Sequence, residues 1–600
     1  MSDRPLVYSI KKIETFFMDF TTGVGVTSTG RHFRAETSRG YKNPSLKDKL
    51  DLVGYLSDQT EREARIMFTG KVPKALPGKA SNTRHWLDVD TGDWMVDQQF
   101  GHWKAIPPTG RFHHRQNKKY VEVRTAAEWF GSTALNPVQV QQSFQVLDAL
   151  ISDAFGSVLP AGDRTALMKS PGATGQRLWA VSIPTAMPLT PVTDDIAEEL
   201  HATSGQHHLE HSVAGPDLDS HPDVVPLIDP KVSPEVNNFS YVDGRFMYAS
   251  LCRGIGLGPG RRYNRTQTAD LLREDPYLRA RIQVKFQVPD TWRHVGLFGV
   301  QHPDAQDGWY WPNRPGAQGI AWVDASEFFV AEKFGWILDP VESVVFSKKM
   351  PSQRKRFHGD DSKARRHLVE AKPLDTWASK IVSARTSIES DGSLEPWLKS
   401  ALGAALRAIL IQTIGSFASR GRGGSVTVDD PRNIPAEYLS SAEQQGKKWV
   451  YYKPSALGQR QKQNYRPEYA VQIWGRGRAK TLWHRAGDQQ CGALTMEGNQ
   501  VIGINGDAVY STTVPQWSLP SSQNGADDGK TGRMRLQGLL RGPVKTPQTR
   551  QDRDRLRDRA IKDGAKVQIG DLMDQASFDL EFDVPNDDPR AYTSSEEQQG

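Results

Sequence analysis

At 600 residues, with 37% hydrophobic and 24% charged side chains and 16 tryptophans, the chain has the make-up of a globular protein of several domains. No apolar run approaches the roughly 20 residues that cross a bilayer, and the N-terminus lacks the apolar core of a secretory signal. Two cysteines, Cys252 and Cys491, make neither a disulfide framework nor a zinc site, so the expected setting is a reducing cytoplasm without a membrane partner. The net charge of +6 hides a split: residues 571–600 hold nine acids against Arg590, so the rest of the chain is basic and suited to a polyanionic partner.

Residues 1–125 mix short β-prone runs with loops. Asp19 closes the run ETFFMD, and Asp88 and Asp90 stand in WLDVDTGDW, either as metal-binding carboxylates or as an acidic turn. Residues 126–156 are helical, with Asn136 as N-cap, Pro137 at the first position, and Val140, Phe144, Leu147, Leu150 and Ile151 at helical spacing. KSPGATG at 169–175 misses the Gly-x-x-x-x-Gly-Lys-Ser/Thr phosphate loop and implies no nucleotide site. Residues 185–235 carry His201, His207, His208, His211 and His221, but without cysteine partners or a His-Glu-x-x-His helix they read as an exposed polar loop.

YVDGRFMYASLC at 241–252 puts Asp243 at the start of a β-prone run, with Tyr248 five residues on. The glycine-rich, basic stretch at 254–262 reads as a flexible connector or as backbone amides near a phosphate. Strands are expected at 281–288, 319–323 and 337–346, with a helix at 326–334. Residues 348–372 then set nine cations, among them Lys348, Lys349, Arg354, Lys355 and Arg356, against three acids. This segment is a nucleic-acid backbone clamp or a solvated insertion.

Helices follow at 374–385 and 395–420, the second carrying Lys399, Arg407 and Gly415. After a Gly- and Ser-rich linker, a helix at 468–484 shows an apolar face (Tyr469, Ile473, Leu482) and a basic one (Arg476, Arg478, Lys480). Val501 to Ile504 form a short strand, Asn505-Gly506 is the dipeptide of a type I′ hairpin, and Asp507 opens the return strand. Carboxylates on two neighbouring strands, here Asp243 and Asp507, can hold two divalent cations about 3.5–4 Å apart for in-line phosphoryl transfer. Lys530, Arg533 and Arg535 mark a basic strand able to touch phosphates. A charged helix at 553–562 reads as solvated, and the acidic tail as disordered.

The stretch from Asp243 to Ala249 resembles motif A of family B DNA polymerases, Asp-x-x-Ser-Leu-Tyr-Pro, with Phe246 and Ala249 in place of Ser and Pro. Residues 503–508 resemble motif C, Tyr-x-Asp-Thr-Asp-Ser, with Asp507 kept and Asn505 in place of the first Asp. Residues 407–415 resemble motif B, Lys-x-x-x-Asn-Ser-x-Tyr-Gly, with Arg407 at the Lys, Gly415 at the Gly and Ile414 at the Tyr. The helix at 473–482 resembles the one that precedes motif C in the protein-primed phage branch. Around Asp19, the exonuclease motif Asp-x-Glu has Thr21 at the Glu.

The resemblance implies an α/β (α+β) right-hand polymerase with an antiparallel-sheet palm and helical fingers. Its N-terminal domain, to residue 185, is a degenerate exonuclease or an unrelated β-rich unit. A linker runs to 235, the first palm part to 346, the basic insertion to 373, fingers-like helices to 425, the second palm part to 525, and a thumb-like basic segment to 570. Asp243 and Asp507 then ligate two Mg²⁺, with Mn²⁺ as the alternative. Tyr248 stacks on the deoxyribose, and Arg407, Lys399 and Gly415 belong to the nucleotide site. Arg476, Arg478, Lys530, Arg533, Arg535 and the basic insertion contact DNA. The partners implied are a DNA primer-template, dNTPs and a terminal or priming protein. Two rival readings stand beside it: a catalytically inactive, polymerase-derived DNA-binding or recruitment protein, and a two-metal nuclease.

Overall fold

The computed structural model describes residues 13–564 except 38–41, 58–62, 73–75, 78–82, 85–90, 100–108, 161–165, 184–188, 204–209, 213–220, 302–308, 352–367, 421–424, 436–437, 439–441, 446–447 and 453–463. Asp88, Asp90, His207, His208, Arg354, Lys355, Arg356 and the acidic tail lie outside the described residues. The chain divides into two compact units, residues 7–182 with 383–413, and residues 183–382 with 414–600 and the first six. Both mix helices with sheets, as the α/β expectation has it.

In the first unit, β1 (Glu14–Asp19), β2 (Val24–Thr27) and β3 (His32–Arg34) form an antiparallel meander. β4 (Glu63–Thr69) runs parallel to β1; β5 (Trp94–Gln99), β6 (Gly110–His114) and β7 (Tyr120–Thr125) complete the order β3-β2-β1-β4-β7-β6-β5, with β7 parallel to β4. Phe16, Met18, Ile66, Phe68, Val121 and Val123 form its core with Leu46, Leu50 and Val53 of α1 (Leu46–Leu56). α2 (Pro137–Phe155) starts where its cap signal predicts: Asn136 accepts from Gln139 N–H, and the Gln139 side chain answers on the Asn136 backbone. The KSPGATG stretch runs into α3 (Pro171–Ser182), whose Gly175 packs so tightly that a Cβ would sit 1.8 Å from Thr413 Oγ1.

The two largest sheets of the second unit, among the described residues, are antiparallel. Where a polar loop is expected, α4 (Asp194–Thr203) and β8 (Glu210–Ser212) stand instead. Ile196, Leu200 and Thr203 bury one stripe of α4, and Asp194 and Asp195 suit its positive N-terminus. β9 (Glu235–Gly244) leads to the short α5 (Met247–Leu251), and the supposed flexible connector is a paired strand, β10 (Leu257–Asn264). After α6 (Arg265–Glu274) come β11 (Ala280–Gln287), β12 (Gln318–Asp324), α7 (Ala325–Lys333) and β13 (Ile337–Ser347), close to the expected bounds. They form a sheet of order β10-β13-β11-β12.

α8 (Pro467–Leu482) precedes the hairpin of β14 (Val501–Asn505) and β15 (Ala508–Ser511), which β16 (Met534–Lys545) and α9 (Arg550–Gly564) follow. The second sheet has the order β8-β14-β15-β9-β16. Its core, including Phe239, Tyr241, Ile502, Tyr510, Leu540 and Val544, is completed by Leu556 and Ala560 of α9. The charged helix is therefore packed rather than solvated: Arg553 lies buried over the Tyr510 ring, 4.9 Å from its centroid. The helix Pro396–Ala418 is long and apolar enough by composition to cross a membrane, but half of that window is buried in the protein, as in a core helix.

Candidate active site

The two acids that the sequence singles out meet at one end of the five-stranded sheet. β9 lies between β15 and β16, and Asp243, 1% exposed, faces Ala508 on one side and Arg535 on the other. Ala508 follows Asp507 directly, so Asp507, 264 positions from Asp243 in the chain, lies one residue beyond Asp243's partner in the ladder. Asp507 Oδ2 comes within 3.2 Å of the point a Cβ on Gly244 would occupy, one residue past Asp243.

The hairpin turns one residue later than its Asn-Gly dipeptide suggests. Asn505 pairs with Ala508, which leaves Gly506 and Asp507 as the two loop residues. Gly506 has φ +61°, whereas Asp507 is not among the described non-glycine residues with positive φ. Glycine first, with positive φ there alone, is the type II′ pattern rather than I′. Asn505 is thereby held in β14, opposite Glu210 of β8, and Asp507 rides on the turn itself. A Cβ on Gly506 would lie 3.6 Å from the Tyr248 hydroxyl and one on Gly477 of α8 4.0 Å from its ring, so Tyr248 sits between the hairpin tip and α8.

The turn after Asp243 is clamped from outside the motif. Phe246 adopts φ +48°, a region that bulky side chains rarely enter. Arg245 N–H donates to the Arg533 carbonyl at 2.6 Å, and Gly532 N–H donates to the Arg245 carbonyl at 2.7 Å. The Arg245 guanidinium donates to both oxygens of Asp527, at 2.6 and 3.3 Å, with both side chains buried. Arg533 donates in turn to Asp528 at 2.9 and 3.0 Å, and Lys530 lies 3.8 Å from the same carboxylate. Arg245, Asp527 and Asp528 escape sequence reading because nothing local marks their pairing.

The basic face assigned to α8 points inward, which corrects the DNA-contact reading of Arg476 and Arg478. Arg476 donates to the carbonyls of Leu251 and Arg253 at 2.9 and 2.7 Å, and burial pushes its pKa down to about 9. Arg478 pairs with buried Glu327, and a Cβ on Gly475 would lie 2.3 Å from Asp324 Cβ, so this helix packs too closely for a solvent face. Lys480 is also buried.

Lys348 donates to Asp275 at 2.7 Å, and Lys349 is exposed on a short strand. Gly415, in the unit of Asp243 and Asp507, is exposed; in the other unit, Arg407 is exposed and Lys399 Nζ lies 3.4 Å from the Glu389 carbonyl. Asp19, also in that unit, accepts from Thr21 N–H, Thr22 N–H and the Thr22 hydroxyl at 3.1, 2.7 and 2.8 Å, which commits it to its own turn. His221 stacks on Tyr310 at 3.9 Å. Among the described residues no three His, Cys, Asp or Glu side chains gather into a cluster that could hold a metal ion.

No protein-family model matches the chain, and no curated protein does. Solved structures do match. The chain is similar to phi29 DNA polymerase in an orthorhombic crystal form at 11% identity and TM-score 0.48, over 88% of this chain and 85% of that one. It is similar to the same polymerase complexed with primer-template DNA, in a post-translocation binary complex, at 10% identity and TM-score 0.45 over the same shares.

Proposed function

We propose that the protein is a DNA-directed DNA polymerase of the family B kind, transferring a nucleotide from a dNTP to a 3′-hydroxyl or a protein primer. The observation that supports this is the register of Asp243 against Ala508, which brings Asp507, on the hairpin turn one residue before Ala508, to the sheet end that carries Asp243. Their donor set fits Mg²⁺ or Mn²⁺, hard cations that take one or two protein carboxylates and complete their shell with phosphate and water oxygens. Such a metal pair, when bound, supplies charge neutralisation to attacking and leaving oxygens. Tyr248, beside the hairpin tip, packs against the sugar of the incoming nucleotide. Asn505, where the family has Asp, favours a second reading, a DNA-binding relative without turnover.

Primer extension with dNTPs and Mg²⁺ tests the proposal on wild type, Asp243→Ala and Asp507→Ala. Extension by wild type that falls at least about 100-fold in both variants, a loss of several kcal/mol of charge stabilisation, supports it. Extension surviving in either variant overturns it. DNA binding without extension by wild type favours the second reading, and DNA degradation without dNTPs points to a nuclease.

A further inference from the structure

Strand β16 is irregular beside Asp243. Tyr241 pairs with Gly538 and Val242 with Leu536, so Gln537 is an extra residue between two consecutive partners, a β-bulge. Bulges are placed where a strand must re-aim a side chain. Here the bulged residue sends its amide across to the neighbouring strand, and Gln537 Nε2 lies 3.3 Å from Asp243 Oδ2. An ionised carboxylate only accepts hydrogen bonds, so the NH₂ end of the amide is the end that faces it.

We infer that Gln537 is a positioning residue that holds the Asp243 carboxylate in the orientation a divalent cation requires. The inference rests on the proposed metal-binding role of Asp243. An amide fixes the rotation of the carboxylate without adding a charge of its own. Asp243 is almost fully buried, so its carboxylate calls for hydrogen-bond donors from the protein, of which Gln537 is one. Nothing in the sequence around Gln537 marks it, because a bulge is a property of the pairing and not of the local residues.

The test compares full-length wild type, Gln537→Met, which keeps length and removes the donor, and Gln537→Asn, which keeps the amide and shortens the reach. Two readouts are the half-saturating Mg²⁺ concentration in primer extension and the binding of Mn²⁺ to the protein without DNA, followed by the loss of the free-ion EPR signal. The expected result is about a 10–100-fold weaker Mn²⁺ affinity and a matching rise in half-saturating Mg²⁺ for both variants, as loss of a partner to a metal ligand produces, with extension recovering at high Mg²⁺. Unchanged Mn²⁺ affinity in a folded Gln537→Met or Gln537→Asn protein overturns the inference. Asp243→Asn separates the two failures: if it abolishes Mn²⁺ binding while both Gln537 variants retain it, only the role of Gln537 falls. If it leaves Mn²⁺ binding as in wild type, the metal site itself falls and the inference with it.

Discussion

Glu327 and Arg478 form a two-point ion pair inside the second unit, with Nε and Nη2 donating to the two carboxylate oxygens at 2.6 and 2.7 Å and both side chains under 5% exposed. Arg281 lies 3.9 Å from the same carboxylate. The pair ties α8, the helix before the hairpin, to α7.

Arg478→Met leaves Glu327 buried without its two-point partner and is expected to lower stability by about 3–5 kcal/mol, whereas replacing both partners by apolar residues of similar volume costs far less. Urea unfolding of the two variants checks this. A DNA contact would give the opposite pattern, with weakened DNA binding at unchanged stability.

Gly506→Ala puts a side chain where φ is +61°, at about 1–2 kcal/mol in strain. The turn that carries Asp507 has to shift, so primer extension is expected to fall along with stability. Wild-type stability and activity in this variant would mean that the hairpin does not need glycine at its first loop position.

Glu468, 1% exposed in the first turn of α8, has its pKa pushed up to about 7 because burial disfavours its charge and nearby Arg466 offsets this only in part. Its ordinary value is 4.5. Between those values the folded protein holds a proton that the unfolded chain has released. Its contribution is therefore full below about pH 4.5, is lost as pH rises towards about 7, and is level above that. Glu468→Gln removes the ionisation, so the variant is expected to gain on wild type as pH rises, by up to about 3 kcal/mol at pH 8. Denaturant midpoints at pH 5, 6, 7 and 8 read this out. A difference that stays constant over that range would count against it.

The parts of the fold with short-range causes were legible in the residues. Asn136, Pro137 and Gln139 mark the start of α2 because a cap is a local hydrogen-bond exchange. The strands near 281 and 337 and the helix between them follow from spacing alone. Asn505-Gly506 located the hairpin but not its register, since strand pairing, not the dipeptide, decides which two residues turn. α4 stayed hidden because its apolar stripe is thin and its setting acidic. The cations of α8 and α9 misled for a different reason: a charge reads as exposed unless its partner is known, and Glu327 and the Tyr510 ring lie far away in the chain. At the site itself, Asp243 was legible as an acid in strand context and Asp507 as an acid at the hairpin, while Gln537 and Arg245 act only through contacts the folded ladder creates.

The placement of β9 between two strands from far downstream also sets an order of events in the cell. β9 ends at residue 244, and its two flanking strands begin at residues 508 and 534. During translation, at about 5–20 residues per second, roughly 15–60 s pass between the appearance of β9 and the emergence of its second neighbour. Until β15 emerges both edges of the strand are open to other nascent chains, and one edge stays open until β16 follows. Such distant partners also make this the slow, late-forming part of the protein, so the sheet end that carries Asp243 is among the last parts of the newborn chain to be completed.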